Sequence, residues 1–296
     1  MRPKEIFSRT TTFVWLKLGA NLAGGLVIIL AIAIIATLAT MMPGLAFVWL
    51  VLAVLIMGTA IIALEIVLFV LKAGHVAVVT EAVVTGNIPD NMVKYGREKV
   101  NVHGFGTMIS FYALFRLVGG AAKQVSNLLA GAMGNMLSFI PGGKLLTTLT
   151  KLLMYAFLDS VPETVLAWTF YKPEEGRIRT ALQGLRIYLQ NFKTMTKSAF
   201  STALIIVGVR LVFFLIAISA FFLVIRTMNL WVVLPSIFGF MLIKACKNAF
   251  LDSYVMVSMV GNFMKVAPIT VVKEPDFDLY RNCSKYRRLE SQANRA

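Results

Sequence analysis

Charged residues are scarce in this sequence. Only 15% of its 296 residues are Asp, Glu, Lys or Arg, and 58% are hydrophobic, whereas ordinary soluble chains have about 25% charged and about 45–50% apolar residues. No formal charge occurs between Lys17 and Glu65, and a soluble domain of this size has too little interior to bury such a stretch. The composition excludes a soluble enzyme and a disordered chain, and it predicts an integral membrane protein.

Motifs for catalysis and metal binding are also missing. The two cysteines, Cys246 and Cys283, imply no disulfide framework. His75 and His103 lie far apart and have no ligand spacing with a cysteine. The sequence has no Walker A loop, no dinucleotide-binding fingerprint and no spacing typical of a Ser-His-Asp triad. We therefore expect no enzyme activity, no cofactor and no resident metal.

Four long apolar runs occur as two pairs, each run long enough to cross a bilayer. Pro43-Gly44 provides a turn within the first pair, and Thr227-Met228-Asn229 provides one within the second. Ala20 and Gly24 are small residues four apart, which permits close helix contact. The sequence predicts an all-α integral membrane protein with four transmembrane helices in two tight hairpins. The runs are Leu18–Met42, Leu45–Leu71, Ala199–Ile225 and a stretch from Leu230 to about Met256.

Positive charge is distributed unevenly around these runs. Four Lys or Arg precede the first run, 14 lie between the second and third, and seven follow the fourth, whereas Arg226 alone lies at the opposite turns. Because Lys and Arg accumulate on the cytoplasmic side, both termini and the central segment are predicted to be cytoplasmic. The predicted parts are a cytoplasmic N-terminus (1–17), a first transmembrane hairpin (18–72), a central amphipathic or interfacial helical region (73–198), a second hairpin (199–258) and a basic cytoplasmic tail (259–296). The central region includes a possible re-entrant segment at 145–171.

The central region contains a neutral amphipathic pattern from Val125 to Ile140. Its apolar residues follow helical spacing, and the opposite face carries small, uncharged polar side chains. Three interpretations remain open. The helix packs among others in an oligomer or against the spans, lies in the membrane interface, or forms a polar wall along a conduit.

A second amphipathic helix is predicted after Gly176. Leu182 and Leu185 belong to its apolar side, and its cations repeat at spacings of seven, seven and four, so that they form one stripe beside that side. Such a helix suits a membrane surface, with the cationic groups directed toward lipid phosphates; the alternative is an ordinary solvated basic face. The predicted headgroup-binding residues are Arg179, Arg186, Lys193 and Lys197.

Charged residues within the apolar runs are candidate functional groups. Glu65 and Lys244 are predicted at similar depth, with Arg210 on the third run. Charges inside a bilayer are costly unless they are paired or face water. They therefore form either an intramembrane ion pair or a polar pathway. Asp159 and Glu163, one helical turn apart around a proline, are a possible cation site at a broken helix. The alternative is a carboxylate pair that compensates the charge of Lys151 or Arg177.

The last third of the chain, from about Lys172 to Lys265, resembles the C-terminal part of the choline transporter-like family. The resemblance rests on the cytoplasmic helix Thr180–Asn191, the turn with Trp231 and Leu234-Pro235, and the stretch Ala249–Met256 in a long final helix. It implies transport as a class of function. The family has many more spans and a large extracellular part, and Lys244 and Lys247 replace positions usually uncharged there. No substrate-binding residue is therefore carried over.

These observations predict a transporter or channel-like conduit for a small polar or amphiphilic solute. The alternative is a non-transporting membrane scaffold that binds anionic lipid through its amphipathic helices. An intramembrane lipid-modifying enzyme using Asp159 and Glu163 is a third, weaker class. Because four spans alone make a narrow bundle, a homo-oligomer is expected. The net charge of +15 is attributed to membrane orientation and anionic lipid rather than to nucleic acid.

Overall fold

The computed structural model describes residues 1–100, 105–137, 160–192, 230–272 and 283–295, with short pieces between 194 and 226. Within these residues the chain is helical and has no β-strand, which confirms the all-α prediction. A 3₁₀ turn at Pro43–Leu45 occupies the predicted Pro43-Gly44 turn, and a π-helical turn, Lys247–Leu251, joins α8 to α9. The helices are α1 Pro3–Arg9, α2 Thr11–Met41, α3 Ala46–Thr85, α4 Met92–Val100, α5 Phe105–Leu137, α6 Val161–Tyr171, α7 Arg177–Gln190, α8 Leu230–Cys246, α9 Asp252–Val266 and α10 Ser284–Ala293.

The chain divides into two compact units. Unit 1 comprises Met1–Thr10, Ala73–Leu215 and Ser253–Ala296, and unit 2 comprises Thr11–Lys72 and Ile216–Asp252. The N-terminal residues, the central region and the C-terminal tail, which we predicted as separate parts, thus contribute to one folded unit. The tail folds with the central region because α10 buries Tyr286 and Leu289 against helices of that unit.

Unit 2 contains α2 and most of α3, the two described helices that are long and apolar enough to cross a membrane. Large apolar side chains point away from protein along both; Leu30, Phe47 and Leu50 are at least 60% exposed. The structure therefore supports two candidate spans, fewer than the four predicted. Most of the third run lies outside the described residues, and α8 covers 17 residues of the fourth.

Helix α3, and α9 at the end of the fourth run, extend further than the sequence predicts for membrane spans. Helix α3 continues from Lys72 to Thr85, and its last turns bury Val76 and Val79 in unit 1. Met256, predicted near the end of the fourth span, is 2% exposed in the protein core of unit 1. Both of these helix ends are covered by protein of unit 1.

Helix α6 lies at the centre of unit 1. Every residue from Val161 to Thr169 is buried, and α6 packs against α5 and α7. This helix is the described part of the possible re-entrant segment 145–171. Its apolar composition is explained by contact with neighbouring helices. Residues 145–159 lie outside the described part of the chain.

Candidate functional site

Two adjacent glycines on α2 set the packing of unit 2. A Cβ atom at Gly24 would lie 2.5 Å from Cδ1 of Leu64 on α3, and Gly25 lies against the Met241 side chain on α8. Adjacent residues on a helix differ by about 1.5 Å in height and about 100° in direction. Helix α2 therefore contacts α3 on one face and α8 on a neighbouring face, at nearly the same level.

This packing brings the levels of Glu65 and Lys244 together. Trp15 of α2 stacks edge-to-face on Phe250, with ring centroids 5.5 Å apart, so α8 runs antiparallel to α2, as α3 does through its tight turn. Glu65 lies one residue beyond the glycine level on α3, and Lys244 lies three residues beyond it on α8. At about 1.5 Å per residue, the two lie within one helical turn of each other in depth. Both are exposed on their helices, and Arg210 lies outside the described residues.

The π-helical turn carries a second pair of charges in unit 2. The Lys247 ammonium lies 3.0 Å from Oδ2 of Asp252 and also donates to Oδ1 of Asn248 at 3.4 Å. In an α-helix, residues five apart point in directions about 140° apart. The π turn closes on a spacing of five and brings these two side chains together. Sequence reasoning missed the pair because it assumed α-helical spacing throughout.

Lys17 belongs to the same end of unit 2. It lies two residues beyond Trp15, whose ring contacts Phe250 of the π turn, and it is only 5% exposed. A lysine with so little exposure is rare in proteins unless its charge is compensated. In the sequence, Lys17 is the last charge before the first apolar run. Its burial was not predictable from its position beside a polar N-terminal segment.

The possible cation site at Asp159 and Glu163 is described only in part. Glu163 is 5% exposed in the first turn of α6, and Asp159 lies outside the described residues. Burial raises the pKa of the nearby Tyr188 hydroxyl, its hydrogen bond with Ser160 opposes that change, and the Glu163 carboxylate adds to the increase. Glu163 thus belongs to a buried polar cluster. Among the described residues, no three His, Cys, Asp or Glu side chains are grouped to hold a metal.

The apolar side of α7, beside the predicted headgroup-binding stripe, is covered by protein. Leu182 and Leu185, its apolar side, are buried in unit 1, where α7 packs on α6 and α10. Arg179 is exposed, whereas Lys193 and Lys197 lie outside the described residues. The helix therefore covers its apolar side with protein, and lipid binding by these four cations stays a prediction.

Arg186 of that stripe holds the C-terminal helix. Its guanidinium donates to Oε1 of Glu290 at 2.8 Å and to the Tyr286 hydroxyl at 3.2 Å, both on α10. Burial lowers the pKa of Arg186, but the hydrogen bond to Tyr286 and the charge of Glu290 outweigh it and raise the pKa above its ordinary value. Arg186 acts here as a positioning residue, because it connects α7 to α10.

Gln124 fixes the other side of α10. Its Nε2 donates to Oγ of Ser284 at 3.0 Å, and its Oε1 accepts a hydrogen bond from the Lys285 backbone N–H at 2.9 Å. Backbone N–H groups in the first turn of a helix have no partner within the helix. The side chain from α5 therefore caps α10. Residues separated by 160 positions make this contact, and no local motif could predict it.

Replacing Glu290 by glutamine is expected to loosen α10 and expose Cys283. This thiol is 3% exposed, and burial raises its pKa, so that it reacts slowly in the folded chain. Loss of a partly buried ion pair should cost about 1.4 kcal/mol and raise its alkylation rate about tenfold. The rate is measured with iodoacetamide in a Cys246→Ser background. Glu174→Gln, which removes an exposed carboxylate elsewhere in unit 1, serves as control. Equal alkylation rates in both variants would contradict the role of the Arg186–Glu290 ion pair, here called the latch, in holding α10.

Comparison with known proteins adds no family: no family model, curated protein or solved structure matches this chain. The fold and the site define the class as an all-helical protein with two helices suited to crossing a membrane and charged side chains among apolar helices.

Proposed function

We propose that this chain is an integral membrane protein that forms a conduit for a small polar or amphiphilic solute. The observation that carries the proposal is the common level of Glu65 and Lys244 on helices packed against the glycine pair of α2. A carboxylate and an ammonium within a bilayer are tolerated when they face each other, water or a polar solute. Glu65, Lys244 and Arg210 are the proposed pathway residues.

The π turn supports the same function. Single π turns within α-helices occur frequently at functional sites, and this one pairs Lys247, about one turn beyond Lys244, with Asp252. The resemblance of residues 172–265 to the choline transporter-like family favours transport as the class of function. In the proposed topology, four helices cross the membrane in two hairpins, with both termini and the central region on the cytoplasmic side. The conduit is proposed to form in a homo-oligomer.

A carboxylate that lines the pathway should govern flux. In liposomes containing the full chain, Glu65→Gln is expected to slow uptake of radiolabelled choline, an amphiphilic cation, about tenfold or more. That change corresponds to losing about 1.4 kcal/mol of stabilisation of the cation at its highest barrier. Uptake is compared with that of protein-free liposomes.

Glu98→Gln is the matched control, because Glu98 is an exposed carboxylate on α4 in unit 1. It should leave choline uptake unchanged. Equal uptake by the wild type and Glu65→Gln, with both monodisperse in detergent, would refute the role of Glu65. Wild-type uptake no faster than leakage from protein-free liposomes would count against choline-type conduction altogether.

A further inference from the structure

Lys and Arg outnumber Asp and Glu among the described residues of unit 1. Its described residues include 17 Lys or Arg against eight Asp or Glu. No carboxylate occurs anywhere between Glu98 and Asp159 in the sequence. Helix α5, which lies in this interval, carries Arg116 and Lys123 with no acidic residue of its own. Helix α5 therefore contributes positive charge and no negative charge to this surface.

Helix α10 adds a cation to the same surface. The Lys285 side chain crosses Gly120 of α5, where a Cβ atom would lie 2.6 Å from its Nζ. The cap from Gln124 to the Lys285 backbone fixes the position from which this side chain extends. The ammonium is thus held against the α5 backbone by the absence of a side chain at Gly120.

Four cations consequently share one seam. Arg116, Gly120 and Lys123 have spacings of four and three, so they lie on one face of α5 over about 10 Å. Arg116 and Lys123 are exposed there, with Lys285 extending over the glycine between them. Arg288 is exposed one turn after Lys285 on the same side of α10.

The carboxylate nearest in sequence to this seam is engaged elsewhere. Glu290 accepts a hydrogen bond from Arg186 of α7 at 2.8 Å, on the side of α10 that faces α7. The latch described above therefore has two consequences. It holds α10 in place, and it keeps Glu290 directed away from Lys285 and Arg288.

We propose that Arg116, Lys123, Lys285 and Arg288, the α5–α10 basic surface, bind the phosphate of an anionic membrane lipid. Several converging cations form the chemistry that recognises a phosphate group. A lipid is the favoured source because the chain also contains two helices suited to crossing a membrane. The inference rests on the proposed membrane location. It does not depend on conduction through unit 2, and it concerns a different surface from the α7 stripe.

The full chain in neutral detergent tests this surface directly. Dihexanoyl phosphatidylglycerol should bind more tightly than dihexanoyl phosphatidylcholine, as measured by thermophoresis below the micellar concentration of either lipid. Each Lys or Arg near an anionic surface contributes about 1 kcal/mol, which is about fivefold in affinity. Lys123→Gln with Lys285→Gln should therefore weaken phosphatidylglycerol binding about 25-fold. Lys94→Gln with Lys99→Gln removes the same charge from exposed positions on α4 and should leave the affinity within about twofold.

Gly120→Ala tests the geometry without changing the charge. A methyl group would displace Lys285 from α5, and alanine favours the helix by about 1 kcal/mol over glycine, so the fold should be retained. The expected loss of phosphatidylglycerol affinity is about fivefold, as if one cation were removed. Wild-type affinity in Gly120→Ala, or equal losses in the α4 control and the Lys123/Lys285 variant, would overturn the proposed site.

Two further titrations identify the source of the phosphate. Inorganic phosphate should bind at least tenfold more weakly than phosphatidylglycerol; comparable affinity would overturn lipid as the ligand in favour of a free anion. A 12-base-pair DNA duplex that bound more tightly than the lipid and lost affinity in the same variants would assign the surface to nucleic acid instead. Because none of these measurements involves solute uptake, their failure is distinguishable from failure of the conduit.

Discussion

Trp168→Ala is expected to cost unit 1 about 3–5 kcal/mol of stability, the usual range for removing a buried tryptophan. Trp168 is 4% exposed on α6. Its ring meets Phe263 of α9 edge-to-face at 6.3 Å, and its Cβ and ring lie against Gly184 of α7. One side chain therefore joins α6, α7 and α9, and its removal leaves a cavity at their junction.

Heating the full chain in detergent with a thiol-reactive dye measures this loss. In a Cys246→Ser background the dye reports exposure of Cys283, which is buried in unit 1. Trp168→Phe retains an aromatic ring and should lose less than half as much stability. Gly184→Ala should be less costly combined with Trp168→Ala than alone, because a Cβ there would lie 3.3 Å from Cδ1 and 3.4 Å from Cγ of Trp168, and Trp168→Ala removes both atoms. A Trp168→Ala variant within 1 kcal/mol of wild type, or additive costs in the double variant, would contradict this account.

Gly24→Leu should disrupt unit 2, because the added side chain occupies the position of Leu64. Overpacking of this kind typically costs about 1–3 kcal/mol. It should also separate α3 from α2, which would change the level of Glu65 relative to Lys244. We therefore expect a lower temperature for loss of the monodisperse peak in size-exclusion chromatography, together with loss of choline uptake in liposomes.

Gly19→Leu provides a matched control on the same helix. A Cβ atom at Gly19 has nothing within 4 Å, and Gly19 is exposed, so leucine can be accommodated there. Both substitutions add the same apolar volume to α2. If the two variants lost stability and uptake to the same extent, the contact between Gly24 and Leu64 would not be what organises unit 2.

The sequence located the first helical pair well because its signals are local. A run without charge specifies a long apolar helix, and Pro43-Gly44 interrupts it where the structure has a 3₁₀ turn. Ala20 and Gly24 permit a close helix contact, and within the chain Gly24 contacts Leu64. The partner helix and the second glycine, Gly25, could not be deduced, since small residues are common in apolar helices.

The same signals do not distinguish protein from lipid as the cover of an apolar face. Helix α6 lies in the possible re-entrant segment, yet its residues from Val161 to Thr169 are buried within unit 1. The amphipathic α7 was assigned to a membrane surface, but its apolar side packs on α6 and α10. Hydropathy shows that a helix face is apolar and favours burial away from water. It does not show whether lipid or another helix covers that face.

By itself the sequence determined the all-helical class, the long apolar helices and the excess of positive charge, because each follows from composition and short-range periodicity. The tertiary structure alone decided which charges meet. Lys247 reaches Asp252 only through a π turn, Arg186 finds Glu290 across 104 residues, and Lys285 crosses Gly120 because Gln124 caps its helix. These contacts depend on how helices pack, and packing joins residues that no local pattern connects.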